Sequence, residues 1–359
     1  MKITRAVWWR EDVPLARPYT IAFATRDRVT LFVVRLETTT GQVGLGSASP
    51  APDITGETLE SCEAALETGT AAARGSDPRH LGRLTRRLAD TLPAAPAARA
   101  ALDMAFYDLF GHMLGVPVVD LLGRCHQALP TSITIGIKST EEAVEEAREY
   151  MARGFRHLKV KIGHDLERDS ERLRALRAAV GGNVHIRIDG NQGYSLEATR
   201  DLGPLARALD LELIEQPLPR GTEDHLRRLD PWLRQRIAAD ESIHDARDAL
   251  ALALPDQDGT PACGILNIKL MKCGGLTPAR NIAAIAESAG QDLMWGCMDE
   301  SVISIAAALS TALASPHTRF LDLDGSLDLA RDVAQGGFHL KDGIMAPIER
   351  PGLGIDLAS

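Results

Sequence analysis

The 359-residue chain predicts an α/β fold: a modified (β/α)8 barrel of the (β/α)7β type, with an N-terminal α+β capping domain that the C-terminal tail completes. Three observations predict it. From about residue 132, eight short strand-like segments alternate with amphipathic helical ones at a spacing of ~25–30 residues, the size of one βα unit. Before that point the order is strands and then helices, which makes a separate α+β layer. From about residue 326 the chain returns to turn-rich strands, GGFHLKDG and ERPGLG. The implied segments are 1–125 (capping domain), 126–325 (barrel) and 326–359 (a tail packing back on the cap).

The capping segment begins with MKITRAVWWREDVPLARP, read as a strand followed by a turn. Residues 29–36 are rich in β-branched side chains, Thr40-Gly41 makes a turn and 43–45 return. Residues 59–66 are helical. A strong helix at 97–114 is preceded by Pro93 and Pro96 and followed by Gly115 and Pro117. The barrel strands are expected at 132–137, 157–162, 184–189, 211–215, 237–240, 265–269, 293–296 and 319–322. Eight in series favour a closed parallel barrel over an open sheet. Between them, 141–153 and 166–180 are typical amphipathic helices.

Composition narrows the function classes. A hydrophobic fraction of 45% and a charged fraction of 25% describe an ordinary soluble chain. The net charge of −9 disfavours nucleic acid or an anionic membrane as the main partner. Five cysteines, none in a C-x-x-C pair, point to buried free thiols in a reducing cytoplasm. No secretory h-region and no apolar run of about 18 residues are present.

In such a barrel the chemistry gathers at the C-terminal ends of the strands. Asp189, Glu215 and Asp240 end three successive strands. Barrel neighbours lie about 4.8 Å apart, so three carboxylates there repel unless a hard cation, Mg²⁺ by preference, joins them. Lys159 and Lys161 share one strand face about 6.6 Å apart. Each is expected to lower the pKa of the other, toward a usable base. Lys269, on the sixth strand, stands across the barrel from Lys161. A metal that stabilises an enediolate, with one lysine removing an α-proton and another returning it on the opposite face, would invert the centre.

These residues resemble the enolase superfamily in its muconate-lactonizing-enzyme branch; the use there of a Lys or His base with Mg²⁺ is a worked case of pKa tuning. The resemblance spans nearly the whole chain, through ALDMAFYDLFGHMLGVPVVDLLG in the cap and KVK, DGN, EQP, DES and NIKLMKCGG in the barrel. It implies Asp189, Glu215 and Asp240 as Mg²⁺ ligands and Lys161 with Lys269 as the acid/base pair. Lys159 would support the substrate carboxylate and tune Lys161. Asp322-x-Asp324 at the eighth strand, with GCMDES after the seventh, is similar to dipeptide epimerases, where paired aspartates hold the free α-ammonium of the N-terminal residue. The resemblance therefore implies a dipeptide substrate, inversion at the C-terminal residue's Cα, and a homo-oligomer.

Family members acting on Ala-Glu carry an arginine in the mobile N-terminal loop. The matching position here is Ala24, so that substrate is disfavoured. Acids near the mouth, Asp27, Asp53 and Asp299, favour a basic side chain, and with the arginine missing the expectation is a dipeptide with hydrophobic or basic residues. The loops 19–29 and 50–57 are expected to order over substrate. Met298 and Cys297 line the pocket, and Asn191 and Glu241 orient ligands or lysines from behind. The lack of histidine in 294–301 disfavours the acid-sugar dehydratase branch. Two alternatives stay open: an o-succinylbenzoate synthase or cycloisomerase of the same branch, and a non-catalytic peptide-binding barrel.

Overall fold

The computed structural model describes residues 1–21, 24–163 and 165–358, and the side chains of 18–21 and 24–26 lie outside the description. Three antiparallel strands open the chain: β1 (Ile3–Ile21), β2 (Ala24–Thr38) and β3 (Val43–Ala48). Helices α1 (Leu59–Ala73), α2 (Leu81–Thr91), α3 (Pro96–Leu114) and α4 (Val118–Leu122) follow. Pro96 opens α3, where its fixed φ suits the first turn. Gly115 ends it in the left-handed region at φ 70°. The helix lies directly on β3: a Cβ on Gly46 would come 1.8 Å from the Ala101 carbonyl oxygen. Only glycine permits that approach.

After the two-residue β4 (Leu129–Pro130) comes the barrel. Its strands are β5 (Ile133–Ile135), β6 (His157–Lys161), β7 (His185–Asp189), β8 (Leu211–Glu215), β9 (Ile237–Ala239), β10 (Ile265–Ile268), β11 (Asp292–Gly296) and β12 (Thr318–Asp322). They pair in parallel in chain order. The intervening helices are α5 (Thr140–Ala152), α6 (Leu166–Val180), α7 (Leu196–Ala208), α8 (Pro231–Arg234), α9 (Ala246–Ala253), α10 (Leu270–Cys273), α11 (Leu276–Ala289) and α12 (Val302–Leu313). Among the described residues β12 is followed by a single 3-10 turn, Gly325–Asp328, and no α-helix, hence seven βα units and a last strand. Among the described residues no ladder joins β12 to β5; the ring closes through the Thr131–Leu321 bridge and a Ser132 N–H bond to the Leu321 carbonyl at 3.0 Å. Leu213, Ala238, Ile265 and Met294 form an apolar cluster of their own inside the ring, with Phe320 against it. The barrel is thus packed shut beneath its polar mouth.

The tail forms β13 (Ala334–Gly336), β14 (Phe338–Lys341), β15 (Ile344–Pro347) and β16 (Ile355–Leu357). It touches both layers: β15 pairs with β4, Gly352 exchanges backbone bonds with Val116 and Val118, and Ala330 bonds Pro14. No helix among the described residues is long and apolar enough to cross a membrane.

Several elements differ from the sequence reading. The helix α2 was not expected. The first barrel strand is three residues rather than six, because Gly136 and the Ser139 cap of α5 turn the chain away early. Of the expected loop 19–29, residues 22 and 23 lie outside the described residues, and 19–21 and 24–29 continue the β1–β2 pairing, with Tyr19 opposite Arg26 after an irregularity between Pro14 and Tyr19. Proline cannot donate to a ladder, and the register shifts there. Of the five thiols expected to be buried, Cys125 is exposed and Cys297 half-buried.

Candidate active site

The site is built at the mouth of the ring by strand periodicity. Side chains at i and i+2 point the same way, and Lys159, Lys161, Arg187, Asp189, Glu215 and Asn267 all follow from one inward register. Asp189 and Glu215 are the last residues of β7 and β8, and Asp240 immediately follows β9. All three carboxylates are buried. Behind them the backbone turns sharply: Asn191 (φ 38°), Gln192 (φ 66°) and Gln216 (φ 30°) adopt left-handed conformations, which asparagine tolerates by bonding locally. The Asn191 N–H donates to Asp189 Oδ1 at 2.9 Å, and its amide reaches Glu241 Oε1 at 3.3 Å. Gln216 Oε1 accepts from the Asp240 N–H at 2.8 Å, which fixes the third carboxylate relative to the second strand end.

Lysines surround the acids. Lys159 Nζ is 2.9 Å from Glu215 Oε1, 2.8 Å from Asp322 Oδ2 and 3.1 Å from Asp189 Oδ2. Lys161 Nζ donates to Asp189 Oδ2 at 2.6 Å, and Lys269 Nζ to Asp240 Oδ2 at 2.7 Å. The expected mutual lowering of Lys159 and Lys161 does not hold for Lys159. Burial lowers its pKa, but Asp189, Asp322 and Glu215 outweigh burial and hold it well above the usual lysine range. Lys269 is raised in the same way, burial being outweighed by Asp240. Carboxylate oxygens lie 2.8 and 3.1 Å from Lys159 and 2.7 Å from Lys269, and at such distances opposite charge outweighs the cost of burial. Burial and Asp189 conversely push the Glu215 carboxyl up to about 8, despite Lys159.

The donor set fits a hard divalent cation. It is all oxygen and comes from three adjacent strand ends. Glu241 Oε2 and Asn267 Oδ1 are buried beside it with no hydrogen-bond partner among the described residues. Buried acceptors are normally paired, so an ion or its water shell belongs within their reach. Asp189, Glu215 and Asp240 would hold Mg²⁺.

Asp322 and Asp324 occupy the seam between β12 and β5. Asp322 Oδ1 accepts from the Ser132 hydroxyl at 2.6 Å, and Asp324 Oδ2 from the Thr134 N–H at 2.8 Å. Burial and then Asp322 raise the Asp324 carboxyl to about 6. Met298 and Asp299 lie half-buried on the loop after β11, and the Asp299 carbonyl accepts from the Ser49 hydroxyl of the cap at 2.9 Å. Asp53 is exposed on a cap loop. Ala24 begins β2, but its side chain lies outside the described residues.

Four residues of the site had no role in the sequence reading. Lys272 is fully enclosed and donates to both the carbonyl and carboxylate of Asp240. It stands three residues after Lys269 on a short helix that starts at the strand end, and that spacing was the available signal. Asn267 Nδ2 donates to Glu215 Oε1 at 3.0 Å; it lies two before Lys269, on the same face. Gly296 at the end of β11 has no room for a side chain, since a Cβ would come 2.7 Å from Asn267 Oδ1 and 2.9 Å from Lys269 Cε. Asp328, in the turn after β12, is pushed up to about 8 by burial, then Asp324, Asp299 and Glu146. Nothing local marks that acid in the sequence.

Residues 3–123 match the mandelate racemase/muconate lactonizing enzyme N-terminal domain, and 142–359 the enolase C-terminal domain-like family. An L-Lys-D/L-Arg epimerase of Methylococcus capsulatus is 56% identical over 356 residues, covering 99% of both chains. A hydrophobic dipeptide epimerase of Enterococcus faecalis is 36% identical over 99% of both. Among solved structures, the Methylococcus capsulatus dipeptide epimerase complexed with Mg and L-Arg-D-Lys superposes with a TM-score of 0.96 at 56% identity, covering 99% of each chain. A substrate-liganded L-Ala-D/L-Glu epimerase from Bacillus subtilis gives 0.93 at 32% identity, with full coverage of both.

Proposed function

The chain belongs to the mandelate racemase/muconate lactonizing enzyme family of enolase-like proteins, and from that premise we propose that it is a Mg²⁺-dependent dipeptide epimerase preferring basic residues. One observation carries the reaction. Two lysines from opposite walls of the ring, Lys161 on β6 and Lys269 after β10, bond the outer members of a three-carboxylate row, Asp189 and Asp240. A group held between them is flanked by a proton donor or acceptor on each face, which is what inversion at one carbon requires. Bound Mg²⁺ supplies the positive charge that makes an α-proton of a carboxylate removable.

The rest is done by the chain. Lys159, kept charged by three acids, faces the same space and would bind the substrate carboxylate. Asp322 and Asp324 offer paired acceptors for the α-ammonium, which sets the N-terminal residue at the β12–β5 seam and places the C-terminal Cα toward the lysines. Met298 and the cap loop bearing Ser49, joined to it through Asp299, limit water at the mouth.

The preference for basic side chains is supported twice. The 56% identical relative is an L-Lys-D/L-Arg epimerase. The mouth also concentrates acid: burial first, and then the charges of Asp324, Asp299 and Glu146, raise Asp328 to about 8, and a cationic side chain would offset the part that comes from repulsion. A hydrophobic dipeptide would leave it in place.

The test is a pooled dipeptide screen in D₂O with Mg²⁺, read by mass spectrometry for one-dalton gain. Deuterium at the C-terminal Cα of Lys- and Arg-containing members is the expected result. Absence of label from every dipeptide, with folded and Mg²⁺-loaded protein, would move the assignment to a lyase or cycloisomerase of the same branch.

A further inference from the structure

Arg187 is a buried arginine of the barrel interior that the chemistry above does not use. It is on β7, two residues before Asp189, and so projects into the ring one layer below the carboxylates. It is 1% exposed. Its Nε donates to Glu212 Oε2 at 2.6 Å. Nη1 reaches the Leu321 carbonyl at 2.6 Å and Ser132 Oγ at 3.3 Å, and Nη2 faces His157 Nδ1 at 3.3 Å. The guanidinium also lies 5.1 Å from the Phe320 ring centroid. His157, His185 and Glu212 cluster around it. That group is a poor metal site: the two imidazoles stack 4.4 Å apart at 7°, so their lone pairs lie in separate planes, and Arg187 already occupies the carboxylate.

The destination of these bonds is the seam. Among the described residues β12 and β5 have no ladder between them, yet this strand pair carries Asp322 and Asp324. The Ser132 hydroxyl has one proton and two acceptors in range, the Leu321 carbonyl at 3.2 Å and Asp322 Oδ1 at 2.6 Å. Arg187 donates to both Ser132 Oγ and the Leu321 carbonyl. With its oxygen accepting from the guanidinium and the carbonyl competitor engaged, Ser132 directs its proton to Asp322.

Resting on the assignment of Asp322 as an ammonium acceptor, we infer that Arg187, acting through Ser132, is a positioning residue that orients Asp322 and so sets discrimination for a free N-terminal amine. The relay fixes one oxygen of Asp322 while Lys159 fixes the other at 2.8 Å. The carboxylate plane is thereby held from both sides before substrate arrives, which is the preorganisation a charged subsite needs.

The experiment compares L-Lys-L-Arg with its Nα-acetylated form, the first by KM and the second by Ki as a competitive inhibitor. The variants are Ser132→Ala, which buries no new charge, and Arg187→Met combined with Glu212→Gln, which removes the interior ion pair together. Thermal melts confirm folding. The inference expects the preference for the free amine over the acetylated ligand to fall about tenfold in both variants, the worth of one hydrogen bond to a charged group. If folded Ser132→Ala weakens both ligands equally, or leaves the preference at the wild-type value, Arg187 and Ser132 are only structural and the inference fails. Failure of the epimerase reading itself is a separate result, seen when the wild-type protein labels no dipeptide in D₂O.

Discussion

Lys161 and Lys269 stand four strands apart in a ring of eight, so each reaches a bound α-carbon from its own side and neither can replace the other. The prediction is therefore asymmetric. Lys161→Met and Lys269→Met should each lower net epimerisation by about 10³-fold or more. Each should still exchange the α-proton of one epimer with solvent deuterium, and the two variants should exchange opposite epimers. Exchange of both epimers by either single variant, followed by proton NMR, would contradict the two-base assignment. Gly296 makes a second case at this scale. A methyl there meets Lys269 and Asn267 at under 3 Å, and Lys269 must move. Displacement of a reacting group by such an amount costs on the order of 10²-fold, so Gly296→Ala should lower kcat by one to two decades with Mg²⁺ affinity retained. The acids and the three assigned lysines were legible because strand period and residue type together are unusual. Gly296 was not, since the reason for a glycine is the neighbour it makes room for, and that neighbour is 27 positions away in the chain.

At the scale of the element, the strand ends were predicted better than the connections. Apolar runs of four or five residues repeat at βα spacing, and burial on both faces makes them conspicuous. The inner part of the β1–β2 hairpin is expected as strand, but 19–29 reads as a loop; prolines just before it and charges within it break the pattern there, and its pairing depends on the partner strand more than on propensity. The turn Gly325–Asp328 is short and has no pattern, yet it brings Asp328 beside Asp324, Asp299 and Glu146. That position predicts a selective effect. Asp328→Asn should raise KM about tenfold for dipeptides with an N-terminal Lys or Arg, the value of one charge-assisted bond. Dipeptides beginning with Leu or Ala should gain or stay level, because the variant also removes one repelling carboxylate. A uniform loss across all N-terminal residues in a steady-state panel would remove Asp328 from the specificity pocket.

Cap and barrel behave as one molecule because α3 is shared between them. Asp108 on that helix accepts from the Leu45 N–H at 2.8 Å and the Leu353 N–H at 2.7 Å, joining β3 to the tail. One turn earlier Asp103 accepts from the Thr277 N–H at 3.1 Å and its hydroxyl at 2.9 Å, at the start of α11 in the barrel. Burial raises the Asp103 carboxyl from 3.8 to about 6, against the lowering by Thr277. The consequence for stability has a definite sign. A carboxyl whose folded pKa exceeds its unfolded one binds more protons in the folded state, so folding weakens as pH rises from about 4 to 6 and then levels off. Two units at about 1.4 kcal/mol each make a loss of roughly 3 kcal/mol. Asp103→Asn keeps an oxygen for the Thr277 donors and has no proton to lose. The stability of the variant relative to wild type, from urea melts at pH 4 and pH 7.5, should therefore improve by about that amount across the interval. An unchanged difference between the two pH values would mean that Asp103 is ionised in the fold at its ordinary pKa, and that the cap is held to the barrel by a charged anchor instead of a neutral one.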